Sequence, residues 1–398
     1  MQTAATCGIA FGTFPQLEKH CTTYPMIMRY SFWAFLLAFL LASCAVPESN
    51  PSPTDTLRPL KKTKNVILLI GDGMGLTQIS AGLYMNNNTL QLERMPVVGL
   101  HKPYASNDLV TDSAAGATAF ACGIKTYNGA IGVDPDTIAV GTILEEAESK
   151  GLATGLIATS TIVHATPASF IAHVKERQMY EAIATDFLNT EIDIFIGGGK
   201  KFFDRRESDD RNLYEELRQK GYVVSDYFTE NLKPKKVDFT KNFAYFTADE
   251  SPLPVRQGRD YLQPASELAA RFLDAHDTDN KGFFLMIEGS QIDWGGHAND
   301  SDYIVTEMID FDRTIGAILN WAEEDGETLV IVTADHETGG YAINPGSRMG
   351  RIEPAFTSDY HTASLIPVFA YGPGSEIFAG IYENTAIYTK MRRALGFD

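Results

Sequence analysis

Asn65-Val-Ile-Leu-Leu-Ile70 runs straight into Gly71-Asp72-Gly73-Met74-Gly75, and the same succession of apolar run and polar cluster returns twice downstream. Phe283-Phe-Leu-Met-Ile287 leads into Glu288, with Asp293 and His297 close behind. Thr328-Leu-Val-Ile-Val-Thr333 leads into Ala334-Asp335-His336. Unbroken apolar runs of this kind read as strands buried on both faces, which is how parallel sheets are written. In an open α/β sheet, ligands bind in the crevice outside the carboxyl ends of the strands. Side chains far apart along the chain can therefore converge there. Asp, Glu and His are the ligand types of zinc and, for the carboxylates, magnesium, so the pattern predicts a metal-centred hydrolase.

Further strand candidates lie at 153–158, 192–196 and 366–370, and helical patterns at 141–150, 167–178, 180–188, 264–276 and 303–324. The alternation predicts an α/β fold: one catalytic domain over 65–398 with a doubly wound, mainly parallel central sheet and helices on both faces. Residues 200–262 are highly charged and irregular, with Asp204-Arg-Arg-Glu-Ser-Asp-Asp-Arg211 inside them. They read as a peripheral insertion on the same domain.

Residues 1–43 read as an export signal. Arg29 precedes the short apolar run Tyr30–Leu41, which ends in Ala42-Ser43-Cys44. The run is too short for a membrane span. Leu41-Ala42-Ser43-Cys44 resembles the bacterial lipoprotein signal, with Cys44 lipidated, and Met26 or Met28 would begin a more typical signal than Met1. Residues 44–64, with Pro47, Pro51, Pro53 and Pro59, then form a flexible tether. The expected location is the periplasm, with a lipid anchor at Cys44 as the sole membrane attachment. Past that point Cys122 is the remaining thiol, so no internal disulfide can form. The formal charge is −18, which argues against nucleic acid as a partner.

Several residues carry two readings from spacing alone. Asp72 in its Gly-Asp-Gly turn is either a ligand or an ordinary turn residue. Ser113, in Thr111-Asp112-Ser113-Ala-Ala-Gly-Ala-Thr118, is a helix cap or a nucleophile beside a phosphate-binding helix N-terminus. Asp293 and His297 stand at i and i+4, a helix spacing, although Gly295 and Gly296 suggest a loop. His164-Ala165-Thr166-Pro167 opens a predicted helix on which Arg177 is a solvated residue or a bidentate phosphate clamp. His361, alone in its segment, fits a structural hydrogen bond as well as a ligand. His173 and His276 read as structural or surface residues.

Taken together, these segments resemble the alkaline phosphatase family. The likeness rests on Ile70-Gly-Asp72-Gly-Met-Gly75, the Thr111–Thr118 segment, Lys125-Thr-Tyr-Asn-Gly-Ala-Ile-Gly-Val-Asp134 and Ala165-Thr166-Pro167. It continues through Glu288, Asp293 and His297, then Thr333-Ala-Asp335-His336-Glu337 and His361-Thr362. The resemblance implies a broad-range phosphomonoesterase with two Zn2+ and one Mg2+, acting through a phosphoserine at Ser113. Asp293, His297 and His361 would hold one zinc. Asp72, Asp335 and His336 would hold the second, beside the Ser113 oxygen. Asp72, Thr166 and Glu288 would hold the magnesium, with His164 a further candidate ligand. Arg177 would grip the phosphate, with Asp112 and Trp294 as positioning residues. His164 and Trp294 are departures from the common family pattern, and both border the third site. Small phosphomonoesters are the expected partners, and the oligomeric state, a homodimer included, stays open. A phosphodiesterase or sulfatase is the competing enzymatic reading. A non-catalytic surface lipoprotein is the competing one from another class.

Overall fold

The computed structural model describes residues 62–232 and 236–397. The signal region, Cys44 and nearly all of the tether lie outside the described residues. Ten strands form the central sheet: β1 Asn65–Gly71, β2 Val97–Lys102, β3 Ala153–Thr161, β4 Ile194–Gly198, β5 Val223–Asp226, β6 Phe243–Phe246, β7 Phe283–Gly289, β8 Thr328–Thr333, β13 Ile366–Tyr371 and β14 Gly380–Glu383. Their order is β14-β2-β13-β8-β1-β7-β3-β4-β6-β5. Four two-residue strands, β9 Glu337–Thr338, β10 Ala342–Ile343, β11 Pro354–Ala355 and β12 His361–Thr362, form two small ladders (β9 with β12, β10 with β11). In the large sheet, β13 runs antiparallel to β8 and β2, and the other pairings are parallel.

The expected architecture is the observed one, and β1 shows why. Each of its residues is buried. Val66, Leu68 and Ile70 point into one core, while Ile67 and Leu69 point into another on the opposite face. A strand that feeds two cores needs apolar side chains at every position, which is the pattern the sequence carries. Helices Ser113–Cys122 and Ile143–Ser149 cover the first face. Helices Leu262–His276 and Ser301–Asp325 cover the second. Register then levels the strand ends: Ile70 stands beside Glu288 on one side and Thr333 on the other.

Two local expectations are corrected. The predicted helix at 167–178 stops at Ala168. Phe170, Ile171, Ala172 and Val174 are all buried, so no face is left for solvent, and Val174 instead pairs with Ile131 in an isolated bridge. Arg177 is consequently on a turn, not on a helix face. The second correction concerns Gly295 and Gly296, which lie inside the helix Gln291–His297. A Cβ on Gly295 would come within 2.7 Å of the Ile304 nitrogen, and one on Gly296 within 2.7 Å of Thr338 Cβ. These glycines serve close packing rather than a loop. Residues 200–262 contribute β5 and β6, which lengthen the sheet at one edge, β6 pairing onto β4 and β5 onto β6.

Candidate metal centre

Three carboxylates are delivered to one level by three adjacent strands. Asp72 follows β1, Glu288 lies near the end of β7, and Asp335 follows β8. All three are fully buried. Gly73 turns the chain after Asp72 with φ +71°, a conformation glycine adopts freely. Its N–H donates to Asp335 Oδ1 (3.2 Å), as does the His336 N–H (3.0 Å). Glu288 Oε2 accepts from Ser290 Oγ (2.6 Å) and Ser160 Oγ (3.2 Å). Both oxygens of Asp72, Oδ2 of Asp335 and Oε1 of Glu288 are left buried with no hydrogen-bond partner. Thr166, in the short helix Ala165–Ala168, lies close enough to Glu288 to bear on its charge, yet its Oγ1 completes no hydrogen bond.

Buried acceptors without donors are costly, and buried charges without partners more so. Burial, then the neighbouring carboxylates, push the Asp72 pKa well above its usual value. Burial likewise lifts Glu288 and Asp335 to about 7. Burial also keeps His336 neutral, with its pKa well below the usual imidazole value.

A second cluster sits alongside. His297 Nδ1 faces the Asp359 carbonyl at 2.7 Å, and His361 Nδ1 faces the Thr111 carbonyl at 2.8 Å. A carbonyl only accepts, so both Nδ1 atoms carry hydrogen. In the neutral rings both Nε2 atoms are then bare lone pairs, and they face each other at 3.2 Å. Asp293 Oδ2 is 3.4 Å from one and Oδ1 3.5 Å from the other. A proton or a cation must sit among them. The Asp293 hydrogen bond raises His297 to about 9, the proton taking that place.

Three groups therefore offer ligand atoms within 4.8 Å of one another: Asp293, His297 and His361; Asp72, Asp335 and His336; and Asp72, His164 and Glu288. The donor sets suit divalent cations, the first two mixing nitrogen with oxygen and the third, with Thr166 beside it, being richer in oxygen.

Ser113 is the first residue of the helix Ser113–Cys122. Asp112, not Ser113, is its cap, with Oδ1 accepting from the Ala115 N–H at 3.0 Å. The Ser113 hydroxyl is thereby not used in capping, and it hydrogen-bonds His336 Nε2 at 3.3 Å. Asp112 Oδ2 receives Arg177 Nη1 at 3.0 Å, so one carboxylate anchors both the helix start and the guanidinium. Arg177 Nη2 donates to His164 Nε2 at 3.3 Å. That contact leaves the ring hydrogen of a neutral His164 on Nδ1, which has no partner. Burial and Arg177 hold His164 at about 3. Trp294 meets the His164 ring edge-on at 6.3 Å. His173 bridges Gly132 and Glu145, and His276 bridges Phe239 and Asp193, away from these groups.

Sequence reading overlooks the hydroxyls that hold the ligands: Ser160, Ser290 and Thr338. A usable clue is position, since Ser290 and Thr338 each follow a ligand by two residues.

The chain is similar to known proteins over most of its length. The family model described as alkaline phosphatase matches residues 63–355. Alkaline phosphatase 3 of Bacillus subtilis (strain 168) is 35% identical, covering 90% of this chain and 94% of that protein. The structure of the alkaline phosphatase from the Antarctic bacterium TAB5 is 46% identical, with TM-score 0.78 over 85% of this chain and 99% of that one. A mutant of the TAB5 enzyme, described with Mg bound in the M3 site, is 44% identical with TM-score 0.80 and the same coverage. On its fold, its clustered acids and imidazoles and these relatives, the chain belongs to the alkaline phosphatase family and is a phosphomonoester hydrolase.

Proposed function

We propose that the chain hydrolyses diverse phosphomonoesters through a phosphoserine at Ser113. Two zinc ions would be held by Asp293, His297 and His361 and by Asp72, Asp335 and His336. A magnesium ion would be held by Asp72, Thr166 and Glu288, in keeping with the Mg bound in the M3 site of the TAB5 mutant. His164, whose Nε2 receives Arg177, is a further candidate ligand of that ion. When bound, such ions stabilise the entering and leaving oxygens of an in-line displacement and lower the pKa of water.

The chain's own residues account for the rest. Ser113 Oγ attacks phosphorus, the ester oxygen leaves with the alcohol, and water then attacks the phosphoserine to release inorganic phosphate and restore the hydroxyl. Arg177 binds two non-bridging oxygens, its plane fixed by Asp112, and the helix N-terminus adds favourable dipole. Asp112 caps the helix, so Ser113 Oγ is not drawn into capping. The observation that carries the reading is the Ser113 hydroxyl, left out of capping, hydrogen-bonded to His336 Nε2 at 3.3 Å and one residue from the anchor of Arg177. Two in-line displacements return phosphorus to its original configuration, so a chiral phosphate monoester should react with net retention. Inversion would point to direct attack by water and remove Ser113 from its role. Anchoring at Cys44 and a periplasmic location complete the proposal. Loss of membrane association in Cys44→Ala would support the anchor, and unchanged association would oppose it.

A further inference from the structure

Thr338 is fully buried two residues beyond His336, and its hydroxyl stands between two of the ion-binding groups. Thr338 Oγ1 is 2.5 Å from Asp293 Oδ1 and 3.2 Å from His336 Nδ1. A hydroxyl has one hydrogen to give. The carboxylate can only accept, so the hydrogen goes to Asp293. Thr338 Oγ1 must then accept from His336 Nδ1–H. That fixes the tautomer of His336 and leaves Nε2 as a lone pair facing Asp72 Oδ1 at 3.5 Å and Asp335 Oδ2 at 3.3 Å.

The backbone ties Thr338 to a further ligand. In the β9–β12 ladder, His361 is the direct partner of Thr338. The surroundings are cut to fit. A Cβ on Gly73 would lie 2.7 Å from Thr338 Oγ1, and one on Gly296 would lie 2.7 Å from Thr338 Cβ. The chain turn after Asp72 and the helix bearing Asp293 and His297 thus both close on this one side chain.

We propose that Thr338 is a positioning residue that couples the Asp293–His297–His361 group to the Asp72–Asp335–His336 group, so that a divalent cation in either raises the affinity of the other. This rests on the two-ion reading given above. A cation on His336 Nε2 holds the ring and its Nδ1–H still, which holds the Thr338 oxygen and, through it, the rotamer of Asp293. The same links run in the other direction, and coupling between binding sites is reciprocal. Hydrogen-bond partners that orient metal ligands typically contribute about 10–100-fold in metal affinity.

The test uses the whole chain stripped of metal and titrated with zinc alone, read by equilibrium dialysis with elemental analysis. Thr338→Val keeps the shape and removes the hydroxyl, and Thr338→Ser keeps the hydroxyl. The wild type and Thr338→Ser should fill both groups together. Thr338→Val, with its fold checked by circular dichroism, should bind about 10–100-fold more weakly at both groups and fill them independently. A Thr338→Val chain that takes up zinc as tightly and as cooperatively as the wild type overturns the coupling, as does weakening confined to one group. Zinc uptake is read without substrate, so the two readings fail separately. Cooperative uptake in a chain that hydrolyses no phosphate ester would overturn the hydrolase reading alone.

Discussion

At the far edge of the sheet, around β4, β6 and β5, charge is matched locally. Arg205 is held by Asp249 and Asp204, Lys201 by Glu250, Arg206 by Asp209, and Arg211 by Glu216. Arg205, Asp209, Arg211 and Glu250 are solvent-exposed. At the carboxyl ends of β1, β7 and β8 the situation is reversed. Asp72, Glu288 and Asp335 are fully buried, close together, and left with unpaired oxygens. The interior elsewhere shows how the fold manages buried acids with its own cations: Arg259 bonds both Glu307 (2.7 Å) and Asp310 (2.8 Å). Among the described residues the strand ends receive no such arginine, since Arg177 is engaged by Asp112 and His164. Where the chain closes its own charge it builds structure, and where it leaves acids open it makes a site for something positive.

The sharpest way to break this contrast is to act on the open side. Stripping divalent ions with a chelator should abolish phosphomonoester turnover and lower the melting temperature, and zinc with magnesium should restore both. At a ligand concentration near one hundred times Kd the lost stabilisation is about 2.7 kcal/mol per ion. Unchanged melting after metal removal would mean that the acids are compensated in some other way. Ser113→Ala should reduce turnover by about 10³-fold or more while leaving the ion content as it is. Loss of ions along with activity would make Ser113 a structural residue.

A smaller effect is expected from Arg177→Ala, which removes the phosphate clamp but no ion ligand. Loss of one such donor costs about 2.7–4 kcal/mol of barrier, or roughly 10²–10³-fold in rate. The effect should appear mainly with phosphate as the group transferred, and weakened inhibition by inorganic phosphate should accompany it.

pH separates the two regions further. Burial raises Glu288 and Asp335 to about 7 in the chain without ions, and raises Asp72 as well. A carboxylate with a raised folded pKa favours folding most below its unfolded value, and that contribution is lost as pH rises through the folded pKa. These acids therefore cost the metal-free chain stability between pH 5 and pH 8, while His164 and His336, whose pKa values burial lowers, act in the opposite sense. Glu288→Gln with Asp335→Asn should thus raise the melting temperature of the metal-free chain more at pH 8 than at pH 5, by about 2–4 °C for each kcal/mol recovered. An equal effect at the two pH values would show these acids to be already paired. The smallest effect belongs to the closed side: Arg205→Ala should change stability by no more than about 1 kcal/mol and leave turnover unaffected.

The sequence is legible where one physical demand dominates. β1, β7 and β8 feed both cores, so their apolar runs are unbroken and announce both the strand and the ligand at its end. β2 and β14 escape notice because exposed and half-buried positions are mixed into them, so neither shows an unbroken apolar run. The stretch after Pro167 looks helical by composition but is buried on every side through Ala172, and docking of Val174 against Ile131 decides its path. At the site, acids and imidazoles stand out because burying them needs a reason. Hydroxyls such as Ser160 and Thr338 do not, since serine and threonine are common in every setting. The choice between cap and nucleophile at Ser113 is open in sequence because Asp112 and Ser113 are both good caps. Geometry assigns the cap to Asp112.

The most direct test is elemental analysis of the purified chain, freed of its first 43 residues and saturated with zinc and magnesium. Three divalent ions per chain are expected, one for each ligand group, falling when Asp72, shared by two groups, is changed to Ala. A chain that holds no more than one ion at saturation, or whose content is unmoved by Asp72→Ala, would contradict the view that these buried acids exist to be closed by cations.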